Sequence, residues 1–220
     1  PASARLSMTA AGLLPGRRMP DLLSEALFGA KTEARTPQPQ SPALWHELDE
    51  RSLPPVKGQV HLLEGCVMRV LFPRVHQATK RLLRRIGYEV SGVDGGCCGA
   101  MDAHAGNLES AGKKAEKLCK AFGSDLPIIV NSAGCGSTMK AYGEHFGQKE
   151  TASRTFDLSE FLLREGLIDC LSASPGLKMK AAYHDACHLA HGQGIRSEPR
   201  RLLEAIPGSE WTQLPESDTC

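Results

Sequence analysis

An α/β architecture, with a parallel sheet flanked by helices laid down in two repeats of which the second is truncated, is expected from three features of this 220-residue sequence. Short apolar runs alternate with amphipathic stretches of helical length. Each of the first three runs ends in a loop carrying glycine and cysteine. The pattern then starts over near residue 180: Cys66 to Cys97 spans 31 positions and Cys187 to Cys220 spans 33, with Arg81-Leu82-Leu83 and Arg201-Leu202-Leu203 falling 15 and 14 positions after the first cysteine of each set. Duplication of one β-α-β unit accounts for that recurrence.

The elements follow in order. Residues 1–56 combine a Leu-rich opening (Leu13, Leu14, Leu22, Leu23, Leu27) with five prolines between Pro37 and Pro55, which reads as a helical segment and Pro-rich linker. A first domain is expected over 57–170. There Gln59–Leu63 is a strand entering Gly65-Cys66, and Leu82, Leu83 and Ile86 mark a helical face closed by Gly87. Tyr88–Val93 is a second strand, delivering Gly95-Gly96-Cys97-Cys98-Gly99. Asn107 is the N-cap of a helix whose stripe is Leu108, Ala111, Ala115, Leu118, Cys119 and Phe122, ended by Gly123. Leu126–Asn131 is a third strand opening into Ser132-Ala133-Gly134-Cys135-Gly136, followed by a helix reaching Gly143 or Gly147. Asp157 and Glu160 form a capping box for the helix of Leu158, Phe161 and Leu162, stopped by Gly166. A second domain is expected to start at 178–220, where Lys180–His184 is a strand entering Asp185-Ala186-Cys187, before a helical Arg201–Leu203 and the segment Trp211–Leu214. No Met precedes Pro1 and the chain stops on Cys220 in mid-pattern, so a fragment is expected.

Composition removes several function classes. Hydrophobic residues at 41% and charged residues at 23% describe a globular chain, not a disordered tail. No stretch approaches the ~20 apolar residues of a membrane-spanning helix. A net charge of +1 with 5% aromatics gives neither an electrostatic footprint nor a stacking platform, so nucleic acid is not an expected partner.

Eight cysteines are the anomaly. The chain opens without a secretory signal, and adjacent Cys97 and Cys98 cannot easily bridge to each other, so metal ligands in a reducing, cytoplasmic setting are expected over a disulfide framework. Cys66, Cys97, Cys98 and Cys135 follow strands and would meet at the carboxyl edge of the sheet. The surrounding glycines let backbone N–H groups approach sulfur, and helices starting after Cys66, Gly99 and Cys135 would add positive dipole ends. The competing reading makes these cysteines small buried residues in tight turns. Structural zinc calls for paired thiols two residues apart, and the chain has no CxxC; iron–sulfur is favoured, since each iron of a cluster takes one thiolate. His184, Cys187, His188 and His191 form a weaker zinc candidate, because Tyr183-His184 reads as a strand end and breaks the helical spacing. Gly192-Gln193-Gly194 reads as a plain loop, Cys119 and Cys170 as packing residues, and Lys80-Arg81 with Arg84-Arg85 as a solvated helix face or a docking surface.

These residues carry a resemblance. Gly95–Gly99, preceded by Cys66 and followed by Asn131–Gly136, resembles the cysteine-rich CCG domain shared by the B-type component of heterodisulfide reductase and the iron–sulfur subunits of several 2-hydroxy-acid dehydrogenases. Tyr183–Leu189 resembles the opening of the second CCG repeat, with Cys220 the first cysteine of its cut-off CCG. Gly65-Cys66-Val67, Cys97–Ala100 with His104, and Gly134-Cys135-Gly136 before Lys140 and Tyr142 are most similar to the glycolate oxidase (glycolate dehydrogenase) iron–sulfur subunit. The resemblance implies an electron-transfer subunit with no catalytic residue of its own, holding a [4Fe-4S] cluster on Cys66, Cys97, Cys98 and Cys135 and a second site on Cys187 and Cys220. A partner subunit would carry FAD and oxidise glycolate to glyoxylate. Electrons would pass towards quinone or another membrane acceptor, with the complex cytoplasmic and peripheral on the inner face of the cell membrane. A ferredoxin-like segment with two cubane clusters would precede Pro1. One departure is plain: Ser132-Ala133-Gly134-Cys135 stands where the fullest motif has CxxC, so one thiol of the five-cysteine noncubane cluster is missing. Service to L-lactate or glycerol 3-phosphate oxidation, a heterodisulfide-reductase-B-like role, and a non-redox docking or structural module, zinc-held or metal-free, are the alternatives.

Overall fold

Ile128-Ile129-Val130 is apolar without interruption because it is covered on both faces, and it forms the centre of the protein. In this computed structural model, which describes residues 52–93, 96–123, 125–217 and 219, these three residues make strand β3 (Ile128–Val130), each with no exposed surface. The helical opening and most of the linker expected over 1–56 lie outside the described residues.

The chain builds, in order, β1 (Gly58–Leu63), α1 (Met68–Leu71), α2 (Pro73–Arg85), β2 (Tyr88–Gly92), α3 (Ala100–His104), α4 (Leu108–Phe122), β3, α5 (Ala133–Lys140), α6 (Tyr142–His145), α7 (Lys149–Ser153), β4 (Thr155–Asp157), α8 (Leu158–Arg164) and α9 (Leu167–Ser172). The four strands form one parallel sheet in the order β2-β1-β3-β4, with Val60 opposite Val90, Leu62 opposite Ile129, and Ile129 opposite Phe156. Strand β4 is not predicted by the sequence pattern, in which only its last residue, Asp157, stands out, as a helix cap. Three residues are too short for periodicity to reveal a strand.

Alternation along the strands assigns the two faces. Leu63, Ile128 and Val130 pack with Leu118, Phe122, Met139 and Tyr142 from α4, α5 and α6. Val60, Leu62 and Ile129 pack on the other side with Leu83 and Ile86 of α2, Phe161 and Leu162 of α8, and Leu167 of α9. The local signals hold: Asn107 accepts from the Ser110 N–H at 3.1 Å to cap α4, and Asp157 with Glu160 forms the capping box of α8. One stripe residue does not. Leu108 is 57% exposed, because it is the first residue of α4 and overhangs the core that Ala111, Ala115 and Leu118 enter.

The second unit repeats the first. Strand β5 (Met179–Tyr183), α10 (Cys187–Ala190), α11 (Ser197–Glu204) and β6 (Ser209–Gln213) give a two-stranded parallel sheet. Gly58 pairs with Tyr88 and Met179 with Ser209, the same 30-residue step in each unit. The two units share a layer, since Leu202 of α11 joins the cluster of Val60, Leu83 and Phe161. Among the described residues no helix is long and apolar enough to cross a membrane.

Candidate metal centre

In a parallel sheet every strand runs the same way, so residues just past the strand ends collect along one rim. Cys66 follows β1, Cys97 and Cys98 follow β2, and Cys135 follows β3. The four sulfurs form a line of successive contacts. Cys66 Sγ lies 3.4 Å from Cys97 Sγ, and the Cys98 thiol is within hydrogen-bonding reach of both Cys97 and Cys135, with one proton to give to either. Cys98 is 3% exposed and belongs to the core cluster; the other three are half-buried.

Backbone supports the line. The Gly99 N–H points to Cys97 Sγ at 3.4 Å, and the N–H groups of Val67 and Ala100 serve Cys66 and Cys98. Gly99 has φ +79°, and a Cβ there would fall 2.9 Å from the Ala111 carbonyl oxygen, so only glycine lets the Cys97-Cys98 turn sit this close on α4. Tyr142, fully buried, donates its hydroxyl to the Cys98 carbonyl oxygen at 2.5 Å.

The expected helix-dipole contribution needs correction. Cys135 does not precede its helix but is the third residue of α5, which starts at Ala133. The helices after Cys66 and Gly99 span four and five residues, too few aligned peptides for a sizeable macrodipole.

Hydrogen bonding divides the thiols into two kinds. Donation from Cys66, then from Cys98, outweighs burial and brings Cys97 down to about 2, helped by the Gly99 N–H and the Lys114 charge. Cys135 falls to about 7, chiefly through the Cys98 thiol and further through the Ser132 hydroxyl. Cys66 and Cys98 move the opposite way, each raised by its thiolate-accepting neighbour and by burial. Cys97 and Cys135 are thus the sulfurs biased towards thiolate, the form that binds metal. Lys114, ion-paired with Asp102, is the nearby cation.

Below the rim, a polar network ties two of the thiol-bearing loops. His76 Nε2 donates to the Glu64 carbonyl oxygen at 2.7 Å, while Asn131 Nδ2 contacts His76 Nδ1 at 3.1 Å and Thr79 Oγ1 at 2.9 Å. Burial lowers the His76 pKa, in keeping with a neutral ring that accepts from Asn131. Glu64 lies two residues before Cys66 and Asn131 four before Cys135. No sequence signal singles out His76; for Asn131 the signal is its place at the exit of a buried strand.

The second cysteine set is only partly described. Cys187 begins α10, and Cys220 lies outside the described residues. The histidines of the weaker zinc candidate are engaged separately: His184 Nδ1 with the Asp185 carbonyl oxygen at 2.9 Å, His188 stacked on His104 with centroids 5.1 Å apart, and His191 Nδ1 with Arg196 at 3.1 Å. Among the described residues, no three His, Cys, Asp or Glu side chains form a group that would close on one metal ion. Cys119 packs against the core as expected, whereas Cys170 on α9 is exposed and is not a packing residue.

Comparison with known proteins gives the family. The cysteine-rich domain family model, CCG, matches residues 60–140 and 181–220, more than half of the chain. The chain belongs to the cysteine-rich (CCG) domain family. The two matched stretches begin within β1 and β5, so the family pattern covers both units. A subunit of the fumarate reductase (CoM/CoB) of Methanothermobacter marburgensis is 34% identical over 164 residues, covering 74% of this chain and 32% of that one. Lactate utilization protein A of Geobacillus kaustophilus is 28% identical over 171 residues, covering 74% and 71%; that of Bacillus subtilis is likewise 28% identical over 171 residues. The chain thus spans about a third of the methanogen relative.

Proposed function

We propose that this CCG-domain chain is the iron–sulfur electron-transfer part of a 2-hydroxy-acid dehydrogenase. The observation that carries the reading is the line of four thiols, Cys66–Cys97–Cys98–Cys135, assembled from three strand exits at one rim. Its donors are sulfur alone, and soft thiolate sets select iron–sulfur, zinc or copper(I). The thiols come from three separate loops with no CxxC pair among them, which suits a cluster that takes one thiolate per iron better than a structural zinc knuckle. Cys66, Cys97, Cys98 and Cys135 would hold the cluster, of the [4Fe-4S] type, and Cys187 with Cys220 would serve a second site. Such a cluster supplies one-electron redox chemistry. The chain supplies the dry floor under Cys98 and the N–H groups that stabilise charge on sulfur. The units are assigned as a first CCG domain over 57–170 and a second starting at 178–220.

The substrate would be glycolate, oxidised on a partner subunit that carries FAD, with electrons passed towards quinone by a complex resting on the inner face of the membrane. The similarity of Gly65-Cys66-Val67 and of Gly134-Cys135-Gly136 before Lys140 and Tyr142 to the glycolate-type subunit supports that choice. L-lactate is the second reading, favoured by relatives that carry lactate utilization in their names and share 71% of their length with this chain.

Anaerobic reconstitution with iron and sulfide tests the cluster. Stoichiometric iron, acid-labile sulfide and broad visible absorbance that bleaches on reduction are expected; a colourless, iron-free product refutes it and leaves the docking-module alternative. With a 2-hydroxy-acid-oxidising FAD subunit added, glycolate should bleach the absorbance. Bleaching by L-lactate alone decides for the second reading.

A further inference from the structure

Helix α5, which carries Cys135, is poorly built to stand by itself. Its eight residues, Ala133–Lys140, include Gly134, Gly136 and the β-branched Thr138, all weak helix formers. Its N-cap, Ser132, makes no side-chain capping bond to the helix. The first turn therefore lacks the usual local anchor.

The second unit supplies an anchor. Gln193, in the loop between α10 and α11, donates its side-chain N–H to the Ala133 carbonyl oxygen at 3.0 Å, across 60 residues of chain. A Cβ on Gly136 would lie 2.7 Å from Gln193 Nε2, so the amide rests directly on the backbone beside Cys135. Gly192 makes an equally close approach: a Cβ there would meet Ser137 Oγ at 2.5 Å and the His188 carbonyl oxygen at 2.7 Å. The stacking of His188 on His104 brings the same segment against α3, the helix that follows Cys97-Cys98-Gly99. What reads in sequence as a plain Gly-Gln-Gly loop is thus seated on one thiol-bearing segment and flanks another.

We propose that Gln193 is a positioning residue for the four-thiol centre, its amide holding the first turn of α5 and so the place of Cys135. The second unit would then complete the first unit's site without giving it a ligand. The inference rests on the reading of Cys135 as a ligand, and its test is independent of metal.

The reduced, metal-free 220-residue chain is treated with iodoacetamide, and modification of each cysteine is followed by peptide mass spectrometry. Gln193→Met keeps the bulk and removes the donor. Loss of one hydrogen bond should open the turn enough to speed Cys135 alkylation about fivefold, with Cys119 in the adjoining core unchanged. Gly136→Ala keeps the glutamine but pushes it aside, and should act in the same direction. A wild-type Cys135 rate in both variants overturns the proposal, as does acceleration of Cys119 in step with Cys135, which would mean general loosening. Failure of the wild-type chain to take up iron removes the cluster reading alone, and the alkylation contrast still decides the role of Gln193.

Discussion

The two β-α-β units share strand order, strand step and the place of a cysteine after the first strand, yet they are held together by different forces. In the first, β1 lies between β2 and β3, and Val60, Leu62 and Leu63 are at most 4% exposed. In the second, β5 has one neighbour and keeps a half-exposed pattern. Beside the buried Leu189, Ile195 and Leu202, an ion pair takes over part of what apolar burial does in the first. Asp185, with a side chain 4% exposed, accepts from Arg200 Nη1 at 2.6 Å, and its N–H donates to the Ser217 carbonyl oxygen at 2.8 Å. The same local design therefore takes its stabilisation from whatever its neighbours leave available.

The largest effect expected concerns metal. Cys97→Ala should abolish iron uptake and visible absorbance in the reconstituted chain, whereas Cys170→Ala, at an exposed position, should leave both intact. Equal loss in the two variants would erase the distinction between rim thiols and the rest. Next comes the contrast in cohesion. Arg200→Met removes the closer of two arginines on a buried carboxylate, Arg196 staying 3.9 Å away, and should cost about 1.5–3 kcal/mol in urea unfolding, against ~2–5 kcal/mol for Ile129→Ala in the dry sheet. Adding Asp185→Leu to Arg200→Met should recover most of the first loss and, made in the Ile129→Ala background, none of the second.

A smaller effect sharpens the duplication itself. Arg81-Leu82-Leu83 and Arg201-Leu202-Leu203 look equivalent in sequence, but Leu83 is fully buried while Leu203 is half-buried, and Leu202 takes the buried place. Leu83→Ala should cost ~2–5 kcal/mol and Leu203→Ala clearly less, by thermal or urea unfolding. Equal costs would mean that the helices superpose residue for residue.

The smallest effect is electrostatic. Glu165 sits by β2, accepting from the Tyr88 hydroxyl at 2.7 Å and from Lys57 at 3.3 Å. Burial pushes its carboxyl up, but bonds from Tyr88, Lys57 and Arg164 outweigh it and leave the pKa below the usual carboxylate value. A carboxylate depressed in the folded state stabilises fully above its unfolded pKa of about 4.5, and that stability is lost as pH falls through the folded value. Glu165→Gln should therefore lower stability at pH 7 by about 0.2–1 kcal/mol and make no difference at the acid end. A difference that grows towards low pH would contradict the pairing.

Much of the fold and site is legible in the sequence because it is encoded within a few residues. Asn107, the Asp157 and Glu160 box, the alternation of strands with helices and the cysteines at three strand exits all follow from neighbours in the chain. The features that escape such reading depend on distant partners. β4 is a strand only because β3 lies beside it, Leu108 is exposed because the core ends before it, and Cys135 falls inside α5 because a Gly-rich turn is packed into helix against α10.

The family, the parallel architecture and the identity of the rim thiols thus come from the amino-acid string, since strand direction and strand-exit position are local properties that a parallel sheet turns into proximity. The order of contact from Cys66 to Cys135, the hydroxyl of Tyr142 on Cys98 and the reach of Gln193 to Ala133 come from the folded arrangement alone. They join residues 31 to 60 positions apart, and such contacts depend on which strands are neighbours and how two units share a layer, neither of which short-range pattern encodes.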